Sequence, residues 1–214
     1  MKVTTLGAAR EVGRSAFLVN SNNTNILLDY GVLLKKEPLF PIKVKPNEID
    51  AVVITHAHLD HSGCVPSLFL DENTNLEALA TMPTFELSQL LIQDMIKISG
   101  FYLPFQYHDM MNMLNHARHI DYRSSHNIRD TSVTFHESGH VIGGSTVIVE
   151  NDGKRLFSDK YFKKFGVGTT LAQRILSSFP VMQRKEAKSF PSYSYKNTFL
   201  DQMRFLLLNN KLLF

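Results

Sequence analysis

Short apolar runs dominate the first third of the chain. Residues 2–6 (KVTTL) and 16–19 (AFLV) are mostly apolar or β-branched, with a turn between them at Gly7 and Gly13, and residues 25–29 (NILLD) form a third run stopped by Gly31. This pattern predicts strands joined by turns. Pro38, Pro41 and Pro46 then mark an irregular connection. Residues 51–55 (AVVIT) are continuously apolar and rich in β-branched side chains, the pattern of a buried strand.

The longest helical pattern spans residues 84–99. Thr84 is placed to cap it, Glu86 suits the positive end of its dipole, and Gly100 is placed to end it. Leu87, Leu90, Leu91, Met95 and Ile98 fall on one face at helical spacing. A second helix is expected near residues 109–117. Strands return at 133–136, 145–150 and 155–157. Between the last two, Asn151, Asp152 and Gly153 form a hairpin-turn signal, because Asp and Gly tolerate positive φ. The composition shifts after about Lys164, and residues 183–210 mix Lys, Ser, Tyr and Asn without a clear period.

A length of 214 residues allows one domain or one and a half. With 43% hydrophobic and 20% charged residues, the chain is an ordinary globular mixture that can bury a core. The formal charge of +3 is compatible with a polyanionic substrate without requiring one. One cysteine, Cys64, excludes an internal disulfide and suits a reducing compartment; it is read as a small buried residue. The first residues, MKVTTLGAAREVGRS, have no apolar core, and no apolar run approaches the roughly 20 residues of a membrane helix. The apolar tail FLLLNNKLLF is short and interrupted by Lys211. The expectation is a soluble, cytoplasmic protein without membrane contact.

Candidate chemistry gathers directly after the 51–55 strand. Three of the nine histidines fall in His56-Ala57-His58-Leu59-Asp60-His61. Imidazole and carboxylate are the ligands zinc takes when thiolates are absent. A tight loop after a strand can aim His56 and His58 at one metal and Asp60 and His61 at a second. Two metals roughly 3.5–4 Å apart can activate one water and neutralise a phosphate or carbonyl oxygen. A solvated His-rich turn is the bland alternative, and the H-x-H-x-D-H spacing after an apolar strand weighs against it. Downstream, His140 in HESGHVIGGS can complete the first site as a third histidine. Asp159 ends the strand RLFS and can bridge both metals, and Asp29 can orient a ligand histidine from behind. Taken alone, either aspartate reads as a turn residue at a strand end. His108, His116, His119 and His126 lie in a polar stretch and read as solvated; His136 reads as packed or solvated. GAAREVG lacks the spacing of a dinucleotide fingerprint.

The segments VTTLGAAREVGRSAFLV, ILLDYG, DAVVITHAHLDHSGCVPSL and TFELSQLLIQDMIKISG resemble the β-CASP branch of the metallo-β-lactamase superfamily. More closely, they are similar to the archaeal relatives of the cleavage and polyadenylation specificity factor nuclease. The histidine motif points to the superfamily; its combination with REVGRS points to the RNA-processing branch. The resemblance covers residues 3–159 and implies an α/β fold, the αββα sandwich, here incomplete on the C-terminal side. It implies two zinc ions and cleavage of RNA, as endonuclease or 5′ exonuclease, with a role such as mRNA 3′-end processing. By this resemblance His56, His58 and His140 hold one zinc, Asp60 and His61 the other, Asp159 bridges, and Asp29 is the first motif aspartate. Asp60 and Asp159 are then the catalytic carboxylates.

The chain also departs from that pattern. The bridging position reads Phe157-Ser158-Asp159 where the family has a glycine before the aspartate, and no histidine follows His140 where the family supplies a late ligand to the second zinc. The likeness persists faintly over residues 169–180 and stops near Pro180. Residues 1–165 are therefore assigned to a metallo-β-lactamase-like domain, and 166–214 to a divergent tail, a remnant of the region leading to a β-CASP domain. A shortened or frame-disrupted nuclease is expected, or a short form completed by a partner. The exposed apolar surface this implies favours a homo-oligomer or a full-length nuclease as partner. The leading expectation is an RNA phosphodiesterase. The alternatives are a thioester or lactone hydrolase of the same superfamily and a non-catalytic module that binds RNA or a partner.

Overall fold

A computed structural model describes residues 1–9 and 11–158. Asp159 and the segments 166–214, 169–180 and 183–210 discussed above lie outside the described residues.

Among the described residues, ten strands form two sheets. In the first, β1 (Lys2–Gly7), β2 (Ala16–Ser21) and β3 (Thr24–Tyr30) are antiparallel, and β4 (Ala51–Val53), β5 (Glu77–Ala80) and β6 (Ala117–His119) continue the sheet in parallel, in chain order. The second is a meander of β7 (Ser125–Ile128), β8 (Thr131–Glu137), β9 (Ser145–Asn151) and β10 (Lys154–Ser158). The helices are α1 (Leu59–Ser62), α2 (Met82–Ser99) and α3 (Tyr107–Asn115).

Period-two alternation explains how the layers stack. Ala51 and Val53 join Phe17, Ile26, Leu28 and Leu79 in a cluster with Val133, Phe135, Val147, Val149 and Leu156 of the second sheet. Their neighbours Val52 and Ile54 join Leu27, Ala78 and Ala80 in a second cluster with Phe85, Ile92 and Met95 of α2 and Met110 and Met113 of α3. The first sheet is thus buried on both faces, between the helices and the second sheet, which is why its parallel strands read as unbroken apolar runs.

Several sequence expectations shift. The cap of α2 is Thr81, whose side chain accepts from Thr84 N–H, and Pro83 sits in the first turn. The helix therefore starts earlier than the expected cap at Thr84. Its buried face is Thr84, Phe85, Ser88, Ile92 and Met95, while Leu90 and Ile98 are exposed, so the expected stripe of Leu87, Leu90, Leu91, Met95 and Ile98 shares only Met95 with the true one. Gly100 does not take the left-handed cap conformation; its φ is −53°, and it opens a 3₁₀ turn at Gly100–Tyr102. Strands β6 and β7 carry too few apolar residues to show as runs, and β5 (EALA) is a short run of alanine and leucine, residues that favour helices rather than strands. Their stretch is less solvated than its composition suggests. His126 Nε2 lies 3.2 Å from a Glu77 carboxylate oxygen, and His116 Nδ1 lies 2.9 Å from the Asn112 carbonyl. His108 and His119 are exposed. The hairpin at Asp152 and Gly153 is as expected, with φ of 48° and 68° and Lys154 paired to Asn151.

Candidate metal centre

The site forms where β3 and β4 end and β9 begins. At the end of β3 the ladder with β2 slips: Ala16 pairs with Tyr30 and Phe17 with Leu28, so Asp29 is the extra residue of a bulge, with φ of 58°. Leu28 packs between the sheets and Tyr30 on the helix side. The left-handed residue between them is one of the few types that tolerate that conformation. Asp29 is buried. Its Oδ1 accepts the Thr55 N–H at 2.8 Å, and its Oδ2 lies 2.7 Å from His61 Nδ1. Asp29 thus lies against His61, a candidate ligand.

The His56–His61 segment turns through the single helical turn of α1. His61 and Ser62 N–H groups both return to the His58 carbonyl, and Ser62 Oγ donates to the Ala57 carbonyl at 2.9 Å. Neighbouring backbone clamps this turn. Ser15 N–H donates to the Asp60 carbonyl and Val32 N–H to the Leu59 carbonyl, each at 2.8 Å. Gly31 lies so close that a Cβ there would stand 1.9 Å from the Asp60 carbonyl oxygen. The residues that stop β3 are therefore the wall of the motif turn.

His140 comes from the loop between β8 and β9, held from two sides. Thr81 and Thr84 hydroxyls, at the start of α2, donate to the Gly143 carbonyl at 2.7 and 2.8 Å. Ser145 N–H donates to the Thr55 carbonyl at 2.7 Å, fastening the loop to the end of β4. Gly143 has φ of +76°, and a Cβ there would stand 2.6 Å from Thr84 N.

Two groups of donors result. In one, His56, His58 and His140 offer ligand atoms within 4.8 Å of one another; in the other, His56, Asp60 and His61 do the same. The His56 ring centroid lies 4.0 Å from that of His61, 4.8 Å from His58 and 5.1 Å from His140. His61 Nε2 lies 3.5 Å from Asp60 Oδ2. His56 and His61 are buried, Asp60 is half-buried, and His58 and His140 are exposed, so the three-histidine group opens to solvent. Five of the six expected ligands are brought together, and Asp159 lies outside the described residues. His136 joins neither group. Cys64 is buried among apolar neighbours, and burial pushes its thiol up to about 12, so it offers no thiolate to a metal.

Imidazole and carboxylate donors without sulfur fit a borderline or hard divalent ion, and three histidines with an open side fit a hydrolytic zinc site. Zinc is one member of that class of ions. The sequence reading missed Thr55, Thr81, Thr84 and the close approach of Gly31. A polar residue ending an apolar strand, and the Thr81-x-x-Thr84 pair opening a helix, were the available signals.

The profile of the metallo-beta-lactamase superfamily domain matches residues 18–163, more than half of the chain. The chain belongs to the metallo-beta-lactamase superfamily. Within the superfamily it is 32% identical over 149 residues to RNase aCSPSF2 of Saccharolobus solfataricus, covering 69% of this chain and 30% of that protein. It is 36% identical over 163 residues to transcription termination factor FttA of Thermococcus kodakarensis, covering 69% of this chain and 25% of the relative. The match thus spans about a quarter to a third of these relatives' length. Among solved structures, a protein of unknown function from Enterococcus faecalis superposes with a TM-score of 0.54 at 17% identity, over 72% of this chain and 41% of that one, a likeness of fold alone. Among the described residues no helix is long and apolar enough to cross a membrane.

Proposed function

We propose that this chain carries the metal-binding half of an RNA phosphodiesterase of the β-CASP type. The observation that carries the reading is the convergence of His56, His58, His140, Asp60 and His61 on one open edge of the sandwich, in a member of a superfamily whose relatives include an RNase. In this reading His56, His58 and His140 would hold one zinc and Asp60 and His61 a second, and Asp159, outside the described residues, is the further ligand that the resemblance adds. Zinc, when bound, lowers the pKa of water toward roughly 7 and offsets charge on a phosphate oxygen. The chain supplies the rest. Asp29 holds His61 in place through Nδ1. The exposed rings of His58 and His140 border the opening through which a phosphodiester reaches the site. Half-buried Asp60 sets an acceptor beside the same opening, where it can take a proton from the attacking water. The cellular setting proposed is cytoplasmic RNA processing.

The test is metal content of the purified 214-residue chain, followed by cleavage of end-labelled single-stranded RNA by wild type, Asp60→Asn and His140→Ala. Close to two zinc ions per chain, with products that disappear on chelation and in both variants, is the expected outcome. Hydrolysis of thioesters or lactones with RNA left intact would replace the reading by a small-molecule hydrolase. RNA binding without cleavage by the loaded protein would replace it by a binding module.

A further inference from the structure

The Asp29 carboxylate can only accept, and it receives three contacts: Thr55 N–H on Oδ1 at 2.8 Å, and on Oδ2 the Thr55 hydroxyl at 3.0 Å and His61 Nδ1 at 2.7 Å. The Thr55 hydroxyl has one proton, and the carboxylate uses it. Towards the other neighbour of that oxygen, His56 Nδ1 at 2.9 Å, the hydroxyl is therefore an acceptor, and Nδ1 is the donor. All of these groups are buried, so bulk water does not compete for the contacts.

We infer that Thr55 is a positioning residue: its hydroxyl relays the Asp29 carboxylate to His56 and holds that imidazole in the Nδ1–H tautomer, with Nε2 as its metal-accepting nitrogen. One carboxylate then sets two rings, His61 directly and His56 through Thr55. His56 is the residue common to both donor groups, so an error in its tautomer reaches both metal positions at once. A histidine's ligating nitrogen is chosen by the hydrogen bond its other nitrogen makes. The main-chain Thr55 N–H to Asp29 contact survives a side-chain change, so the relay is separable from the anchoring of the strand end. The inference rests on the metal-centre part of the proposed function and is independent of the RNA substrate.

Two measurements test it. In the metal-free wild-type chain, long-range proton–nitrogen NMR of the imidazoles reports tautomers directly; His56 and His61 are both expected as Nδ1–H. A His56 found as Nε2–H overturns the inference without any variant being made. The second measurement is zinc affinity by competition with a chromophoric chelator, for wild type, Thr55→Val and Thr55→Ser. Thr55→Val is expected to weaken binding on the order of 10–100-fold and to release the His56 tautomer while that of His61 stays. Thr55→Ser, which keeps the hydroxyl, is expected to restore both. Affinity within twofold of wild type in Thr55→Val, with an unchanged His56 tautomer, sinks the relay. A wild-type chain that binds no zinc at all would instead count against the metal-centre reading, and the tautomer spectrum would still decide the relay.

Discussion

The two loops that meet at the candidate centre are built in opposite ways. The His56–His61 turn is contiguous in sequence, partly buried, and clamped by backbone from Ser15, Gly31 and Val32. The His140 loop is exposed and is held at one end by the Ser145 N–H to Thr55 carbonyl bond and at its middle by two threonine hydroxyls some sixty positions earlier, at the mouth of α2. Backbone clamps leave a loop no freedom when a side chain changes, whereas hydroxyl clamps are single contacts of roughly 1 kcal/mol each. The first loop is therefore a rigid half-site. The second leans more on side chains, and single substitutions at Thr81 or Thr84 reach it.

Gly31→Ala attacks the rigid half most directly. A methyl 1.9 Å from the Asp60 carbonyl forces the backbone apart, and the expected cost is on the order of 3 kcal/mol, with loss of bound metal. Chemical denaturation with metal analysis reads both; a variant as stable and as metal-loaded as wild type would dissolve the contrast between the loops. Asp29→Asn comes next. Asparagine tolerates φ of 58°, so the bulge survives, but the amide turns a donor towards donors. A loss of about 2 kcal/mol, with metal binding weaker by roughly 10–100-fold, is expected. Unchanged zinc affinity by chelator competition would mean that His61 does not need its carboxylate. Thr84→Val removes one hydroxyl from the Gly143 carbonyl. The expected cost is about 1 kcal/mol, with zinc binding reduced by roughly tenfold. If stability falls and zinc binding does not, the His140 loop is held by other contacts. The smallest effect belongs to Gly153→Ala in the distant β9–β10 hairpin, where nothing crowds a Cβ but φ is +68°. A cost of about 1 kcal/mol with normal metal content is expected; altered metal binding there would show that the site is not local.

The difference between the loops also explains what could be read in advance. H-x-H-x-D-H after AVVIT is visible because strand, turn and ligands are adjacent in the chain, and the hairpin at Asp152-Gly153 is visible because its φ values demand those residue types. His140 was legible as a glycine-flanked histidine between strands. Its anchors Thr81 and Thr84 show in the sequence only as a threonine pair opening a helix, a signal for a cap and not for the loop that the pair bonds. The α2 stripe was misread because five apolar residues lie near one face, and only packing against α3 and the first sheet selects Phe85, Ile92 and Met95 over Leu90 and Ile98.

The sequence by itself determined the apolar runs of a doubly buried sheet, the donor types of the metal centre and the superfamily they resemble. These follow from local chemistry: side-chain period, ligand identity and spacing within a few residues. Tertiary structure alone decided that Asp29 reaches His61 and Thr55 through a bulge in β3, that Gly31 walls the motif turn, and that Thr81 and Thr84 hold the loop that carries His140. Those arrangements depend on contacts between segments tens of residues apart, and a hydrogen bond or a close approach of that kind exists only once the two sheets and α2 have packed.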